Sequence, residues 1–109
     1  VTLSSGKVVD SYNPGEEIVE RKHTQLAAIK LETAMGYLQS LPQKYPPGEI
    51  IADTPSNREK YPHLVGQPLR GDMILEVPVQ TAPVPPAIVE KAAELNVTIR
   101  DVNGKEYDR

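Results

Sequence analysis

Apolar residues recur along this chain in two different periods. Over residues 7–12 and again over 16–23 the pattern is short and strand-like, with Val8-Val9 and Ile18-Val19 as the apolar centres. Asn13-Pro14-Gly15 separates the two runs with turn chemistry, since Pro fixes one dihedral and Gly supplies a positive φ. Together they predict a β-hairpin. A shorter strand over residues 2–5, with Gly6 in the following turn, is expected ahead of it. From residue 25 to 41 the period changes to about 3.6, with Ala27, Leu31, Ala34, Met35, Leu38 and Leu41 on one face of a helix. Thr24 is its candidate N-cap, and Pro42 is expected to end it.

From residue 42 to 72 no period persists. Pro46-Pro47-Gly48, Pro55-Ser56-Asn57 and Gly66-Gln67-Pro68 punctuate the stretch, and only Ile50-Ile51-Ala52 reads as a brief strand. An irregular connection of this length is uncommon inside a compact domain. Residues 73–80 (MILEVPVQ) predict a strand weakened near its end by Pro78. Pro85-Pro86 opens a second helix, with Ala87, Ile88, Ala92 and Leu95 on its apolar face and Asn96 at its end. Residues 97–102 predict a last strand, and Asn103-Gly104 a hairpin turn before Lys105-Glu106-Tyr107. Hairpin, helix, strand, helix, strand is the order of an α/β (α+β) domain, a mixed sheet flanked by helices.

The 109 residues make one domain. No apolar run approaches the roughly 20 residues that span a bilayer. The absence of cysteine excludes disulfides, Cys-ligated zinc, iron–sulfur clusters and thiol nucleophiles. Residues 1–6 lack the basic-then-apolar pattern of a secretory signal, and a chain opening on Val1 is expected to be the C-terminal fragment of a longer protein. Twelve Lys and Arg against fifteen Asp and Glu give a net charge of −3. That balance argues against holding nucleic acid by overall phosphate neutralisation. It leaves room for a local field, because a bound divalent cation adds charge that the residue count omits.

Candidate chemistry concentrates on the hairpin. Side chains alternate along a strand, so Glu20 and Lys22 point to one face. Asp10, across the turn, falls opposite or diagonal to Glu20, within roughly 5–8 Å between β-carbons. Two carboxylates aimed into one cleft hold a hard divalent cation. Such a cation lowers the pKa of a bound water and clamps a phosphoryl oxygen, while a neighbouring lysine orients the water or stabilises developing negative charge. A charged strand face is more often simply solvated. The apolar lead-ins, the turn and the ensuing helix set this one apart.

Asp10 followed by Glu20-Arg21-Lys22, with a helix behind, resembles the PD-(D/E)XK nuclease superfamily, the restriction-endonuclease-like fold. The stretches DSYNPGEEIVERKHTQL and MILEVPVQ are also similar to toxin domains of this fold at the C-termini of large bacterial contact-delivered proteins. The resemblance covers roughly residues 8–107. It implies a magnesium- or manganese-dependent endonuclease with Asp10 and Glu20 as metal ligands and Lys22 as the water-positioning or charge-stabilising group. It implies a nucleic-acid substrate, DNA favoured over tRNA, a cognate immunity protein, and surface or secreted delivery to act in a target cell's cytoplasm. A non-enzymatic interaction module built on the Pro-rich stretch is the alternative.

Gln25, at the strand-to-helix corner, could reach the same site or serve as a helix-start polar group. Glu76 either adds to a polar centre or lies exposed at a sheet edge, the second being favoured. His23 alternates away from Lys22, and His63 sits in the Pro-rich stretch as a solvated loop residue. No His cluster and no Gly-rich phosphate loop is present.

Overall fold

The hairpin forms where the turn chemistry places it. In the computed structural model, which describes residues 1–46 and 48–107, β1 (Ser11–Asn13) and β2 (Glu17–Arg21) pair antiparallel, Ser11 opposite Val19 and Asn13 opposite Glu17. Both strands are shorter than expected. Residues 7–10 leave the ladder because the chain turns to meet the N-terminus, where Thr2 bridges Val8 and Leu3 bridges Ile51. The expected strands at residues 2–5 and 50–52 reduce to these bridges and one between Ile50 and Pro68.

α1 (Leu31–Lys44) differs from expectation at both ends. Thr24 is no cap; Lys30 occupies the N-cap, and its carbonyl accepts from Thr33 and Ala34. Residues 25–30 form turns instead, because their polar groups are committed elsewhere. The Leu26 N–H donates to Gln80 Oε1 at 2.8 Å, and the Gln25 amide bonds the backbone of Val79 and Thr81. At the other end the helix runs through Pro42. Proline in a helix interior costs about 3 kcal/mol. Burial of Leu41 just before it and Tyr45 beyond it offsets that, each large apolar side chain contributing roughly 1.5–3 kcal/mol. The Tyr45 N–H closes the last turn on the Leu41 carbonyl at 3.0 Å.

A helix expected by no pattern, α2 (Pro55–Lys60), interrupts the irregular stretch. Thr54 caps it by accepting from the Asn57 N–H. The buried Asn57 side chain then bonds both backbone groups of Thr2 and the Ala52 carbonyl, tying the N-terminus down. β3 (Asp72–Val77) stops at Val77, ahead of Pro78. Gly71 precedes it at φ 145°, where a β-carbon would lie 2.8 Å from the Glu17 nitrogen, so only glycine admits the approach of β2 to β3. α3 (Pro86–Glu94) begins on Pro86, and Asn96 beyond it adopts the left-handed conformation expected of a helix end, φ 57°. β4 (Val97–Asp101) ends one residue early. The Asn103-Gly104 turn then returns the chain to a bridge between Arg100 and Glu106.

The four strands lie in the order β1-β2-β3-β4, with β2, β3 and β4 parallel. Two parallel crossovers in the same direction put α1 and α3 side by side on one sheet face. Among the described residues the result is an α+β domain with a mixed four-stranded sheet and three helices. Ile18, Met73 and Val97 line up in one register row under the helices, Leu75 and Ile99 in the next, and they join Leu38, Leu41 and Ile88 in the core. Glu20 is the register partner of Leu75 and so completes that second inward-facing row. The opposite face carries Glu17, Arg21, Glu76 and Arg100. Their long side chains pair above Val19 and Ile74, which are buried beneath them. Among the described residues no helix is long and apolar enough to cross a membrane.

Candidate active site

Glu20 is the unusual residue of the sheet. It is a carboxylate in an apolar row, only 4% exposed, and an uncompensated charge there is costly. Two lysines answer it. Lys44, in the last turn of α1, places Nζ 2.8 Å from Glu20 Oε1, and Lys22, one residue past β2, places Nζ at 3.8 Å from the same oxygen. Lys22 also lies over the Tyr37 ring, 5.0 Å from its centre. Tyr37 and Lys44 are seven residues apart, two helical turns, and so share the flank of α1 that overhangs β2. The second oxygen, Glu20 Oε2, is buried and has no hydrogen-bond partner.

Asp10 lies just beyond the ladder. Extending the β1–β2 register by one pair sets it opposite Glu20. Unlike Glu20 it is exposed, and its Oδ2 accepts the Arg21 backbone N–H at 2.8 Å. On the other face the Arg21 guanidinium holds Ser11 Oγ at 2.6 Å, Glu76 Oε1 at 3.0 Å and the Asp10 carbonyl at 3.5 Å. Glu76 is thus neither an edge residue nor part of the cluster. It is the half-buried partner of Arg21 on the far side of a central strand.

Tyr45 fixes the approach to Asp10. Its hydroxyl donates to the Val8 carbonyl at 2.9 Å. Burial, with the Glu20 and Asp10 charges adding to it, pushes the phenol up to about 12. Tyr45 is therefore a permanent neutral donor. Adjacent residues at the end of α1 consequently grip both arms of the hairpin, Lys44 through Glu20 and Tyr45 through Val8. Sequence reasoning missed Tyr37, Lys44 and Tyr45 as site residues. The signal for Tyr37 and Lys44 was their seven-residue spacing, hidden by an expected helix end at Pro42.

Asp10, Glu20 and Lys22 gather at one end of β2, and Gln25 does not join them. Both ends of its amide are engaged, Nε2 with the Val79 carbonyl at 2.9 Å and Oε1 with the Thr81 N–H at 2.9 Å. His23 and His63 are exposed. Two carboxylates and two ammonium groups make the cluster neutral within a chain of net charge −3. No family model, no curated protein and no solved structure matches this chain.

Among the described residues no three His, Asp or Glu side chains gather into a cage for a metal ion. A small hard cation such as magnesium does not require one: it is commonly held by one or two carboxylates, keeps several waters and takes substrate phosphate as a further ligand. The unpartnered Glu20 Oε2 and the exposed Asp10 carboxylate suit that mode.

Proposed function

We propose that the protein is a metal-dependent nuclease that hydrolyses phosphodiester bonds, with the restriction-endonuclease-like arrangement of Asp10, Glu20 and Lys22. The observation that carries this reading is the buried Glu20, opposite Asp10 in register, with Lys22 beside it and one carboxylate oxygen unpartnered. A structural role explains a buried ion pair. It does not explain an oxygen left without a partner, which buried polar atoms rarely are.

Asp10 and Glu20 would hold the cation, which supplies Lewis acidity and neutralises phosphate charge when bound. The remaining work falls to the chain. The Lys22 ammonium has its side chain 31% exposed, so it can turn from Glu20 toward a scissile phosphate and stabilise charge that grows as water adds and the P–O ester bond breaks. Tyr37 beneath it limits where that ammonium can go. Arg21 and Tyr45 keep the segment carrying Asp10 in place. Loss of the nucleotide's leaving oxygen as an alcohol requires a proton, which the Lys22 ammonium or solvent would supply.

The favoured substrate is DNA, with tRNA the alternative. Such an activity would harm the cell that makes it. The reading therefore includes delivery to a target cell as part of a larger protein and a cognate immunity protein that covers the site. Incubation with supercoiled plasmid and with total RNA, in magnesium and in EDTA, tests the activity and separates the substrates. Cleavage of either that vanishes in EDTA supports a nuclease. Intact DNA and RNA under all conditions contradict it and favour an interaction module.

A further inference from the structure

Lys44 has no place in the arrangement expected from the hairpin, yet it makes the shortest contact to Glu20, 2.8 Å against 3.8 Å for Lys22. We propose that the Lys44 ammonium is a built-in counter-ion that occupies Glu20 in the cation-free protein and must be displaced when a divalent cation binds. The proposal rests on the reading that Asp10 and Glu20 hold such a cation.

A carboxylate this deeply buried cannot be left charged and alone in the cation-free state. Lys44 meets that need from outside the sheet, through a flexible stem rooted in the last turn of α1. Its contact is one-sided: Oε1 is engaged, and Oε2 remains buried without a partner. A lysine cannot satisfy both oxygens from that direction. A doubly charged cation shared with Asp10 would engage Oε2, supply more charge than the ammonium, and repel that ammonium from the adjoining Oε1, so the two cannot share the carboxylate. Departure of Lys44 is open, because its side chain is 34% exposed and lies on the flank of the helix, not under it. On leaving Glu20 the ammonium stays at the mouth of the site, where an anionic substrate would meet it.

Competition of this kind lowers apparent cation affinity by the fraction of molecules in which Glu20 is free, so a pair formed nine-tenths of the time weakens binding about tenfold. The prediction is opposite in sign to that for a lysine that merely orients Glu20. Calorimetric titration with manganese alone, no nucleic acid present, reads it directly. Lys44→Gln, and Lys44→Met in case the first is poorly folded, should each bind manganese about tenfold more tightly than wild type. Thermal melts should show a lower midpoint than wild type without the cation and a larger upward shift with it. Lys60→Gln removes an exposed lysine on α2 and controls for net charge. It should leave affinity within about twofold, since an exposed charge that makes no contact with Glu20 is screened by water and salt. Glu20→Gln should abolish binding in every background. Manganese affinity equal to or weaker than wild type in both Lys44 variants overturns the proposal while leaving the cation reading intact. No manganese binding by wild type or any variant overturns both.

Discussion

Asp10 and Arg21 hold each other on two sides of the sheet: the Asp10 carboxylate accepts the Arg21 N–H at 2.8 Å, and the Arg21 guanidinium reaches back to the Asp10 carbonyl at 3.5 Å. The contact fixes Asp10 at the pair position facing Glu20 without using both carboxylate oxygens. Asp10→Asn keeps an oxygen for the Arg21 N–H and removes one of two facing negative charges. Its stability without cation should stay within about 1 kcal/mol of wild type. Millimolar magnesium should raise the melting midpoint of wild type by preferential binding to the folded state and leave that of Asp10→Asn unmoved. An equal shift in both proteins would place the cation elsewhere.

Lys22 separates chemistry from packing. Its ammonium is partly in water, its contact to Glu20 is long at 3.8 Å, and Lys44 stays on Glu20 at 2.8 Å when it is removed, so its packing contribution is at most about 1 kcal/mol. Lys22→Ala should therefore melt within a few degrees of wild type. It should lose roughly a hundredfold or more in cleavage rate, as removal of a charge-stabilising donor does. Initial rates at a temperature well below both melts check this, and wild-type turnover by the folded variant would remove Lys22 from the mechanism.

Gln25 should behave in the reverse manner. Its amide bridges residues 79 and 81, next to the Gln80 side chain that bonds the Leu26 N–H and the Thr24 carbonyl. Losing two such bonds at a half-buried site should cost about 1–2 kcal/mol. Gln25→Ala is expected to show a lowered melting midpoint and a cleavage rate within tenfold of wild type at low temperature. A large rate loss at an unchanged midpoint would instead put Gln25 in the chemistry.

Acid should destabilise the fold through Asp101. Burial raises its pKa, but the Lys105 and Asn103 backbone N–H groups and the Tyr107 hydroxyl outweigh that and hold the carboxyl below its ordinary 3.8. A depressed folded pKa contributes stability that is complete above the unfolded value and is lost as pH falls through the folded one. Glu17, held below its ordinary 4.5 chiefly by its hydrogen bond to Arg100, acts in the same direction. Melts between neutral pH and pH values below 3.8 should show a falling acid limb, flatter in Asp101→Asn. Equal acid limbs in the two proteins would remove Asp101 as a cause.

The order of elements along the chain, the hairpin, and the placing of Lys22 beside Glu20 were legible because each rested on local chemistry: the Asn13-Pro14-Gly15 turn, the apolar pairs before each acid, and strict alternation along β2. The start of α1 was not, because the apolar period begins at Ala27 while the backbone of residues 24–26 is claimed by Gln80, 54 positions from Leu26. Its end was hidden by Pro42, whose local cost is overridden by burial of Leu41 and Tyr45. The same error concealed Lys44 and Tyr45. Gly71 likewise carried no local signal for its role, which arises only where β2 and β3 meet.

The most direct test is one cleavage assay on plasmid DNA and total RNA, comparing wild type with Glu20→Gln at matched folded concentration in magnesium. The account predicts cleavage of at least one substrate by wild type, abolished by EDTA, and loss of at least about a hundredfold in the Glu20→Gln protein. Cleavage that persists in EDTA or in Glu20→Gln, or intact nucleic acid throughout, would contradict it.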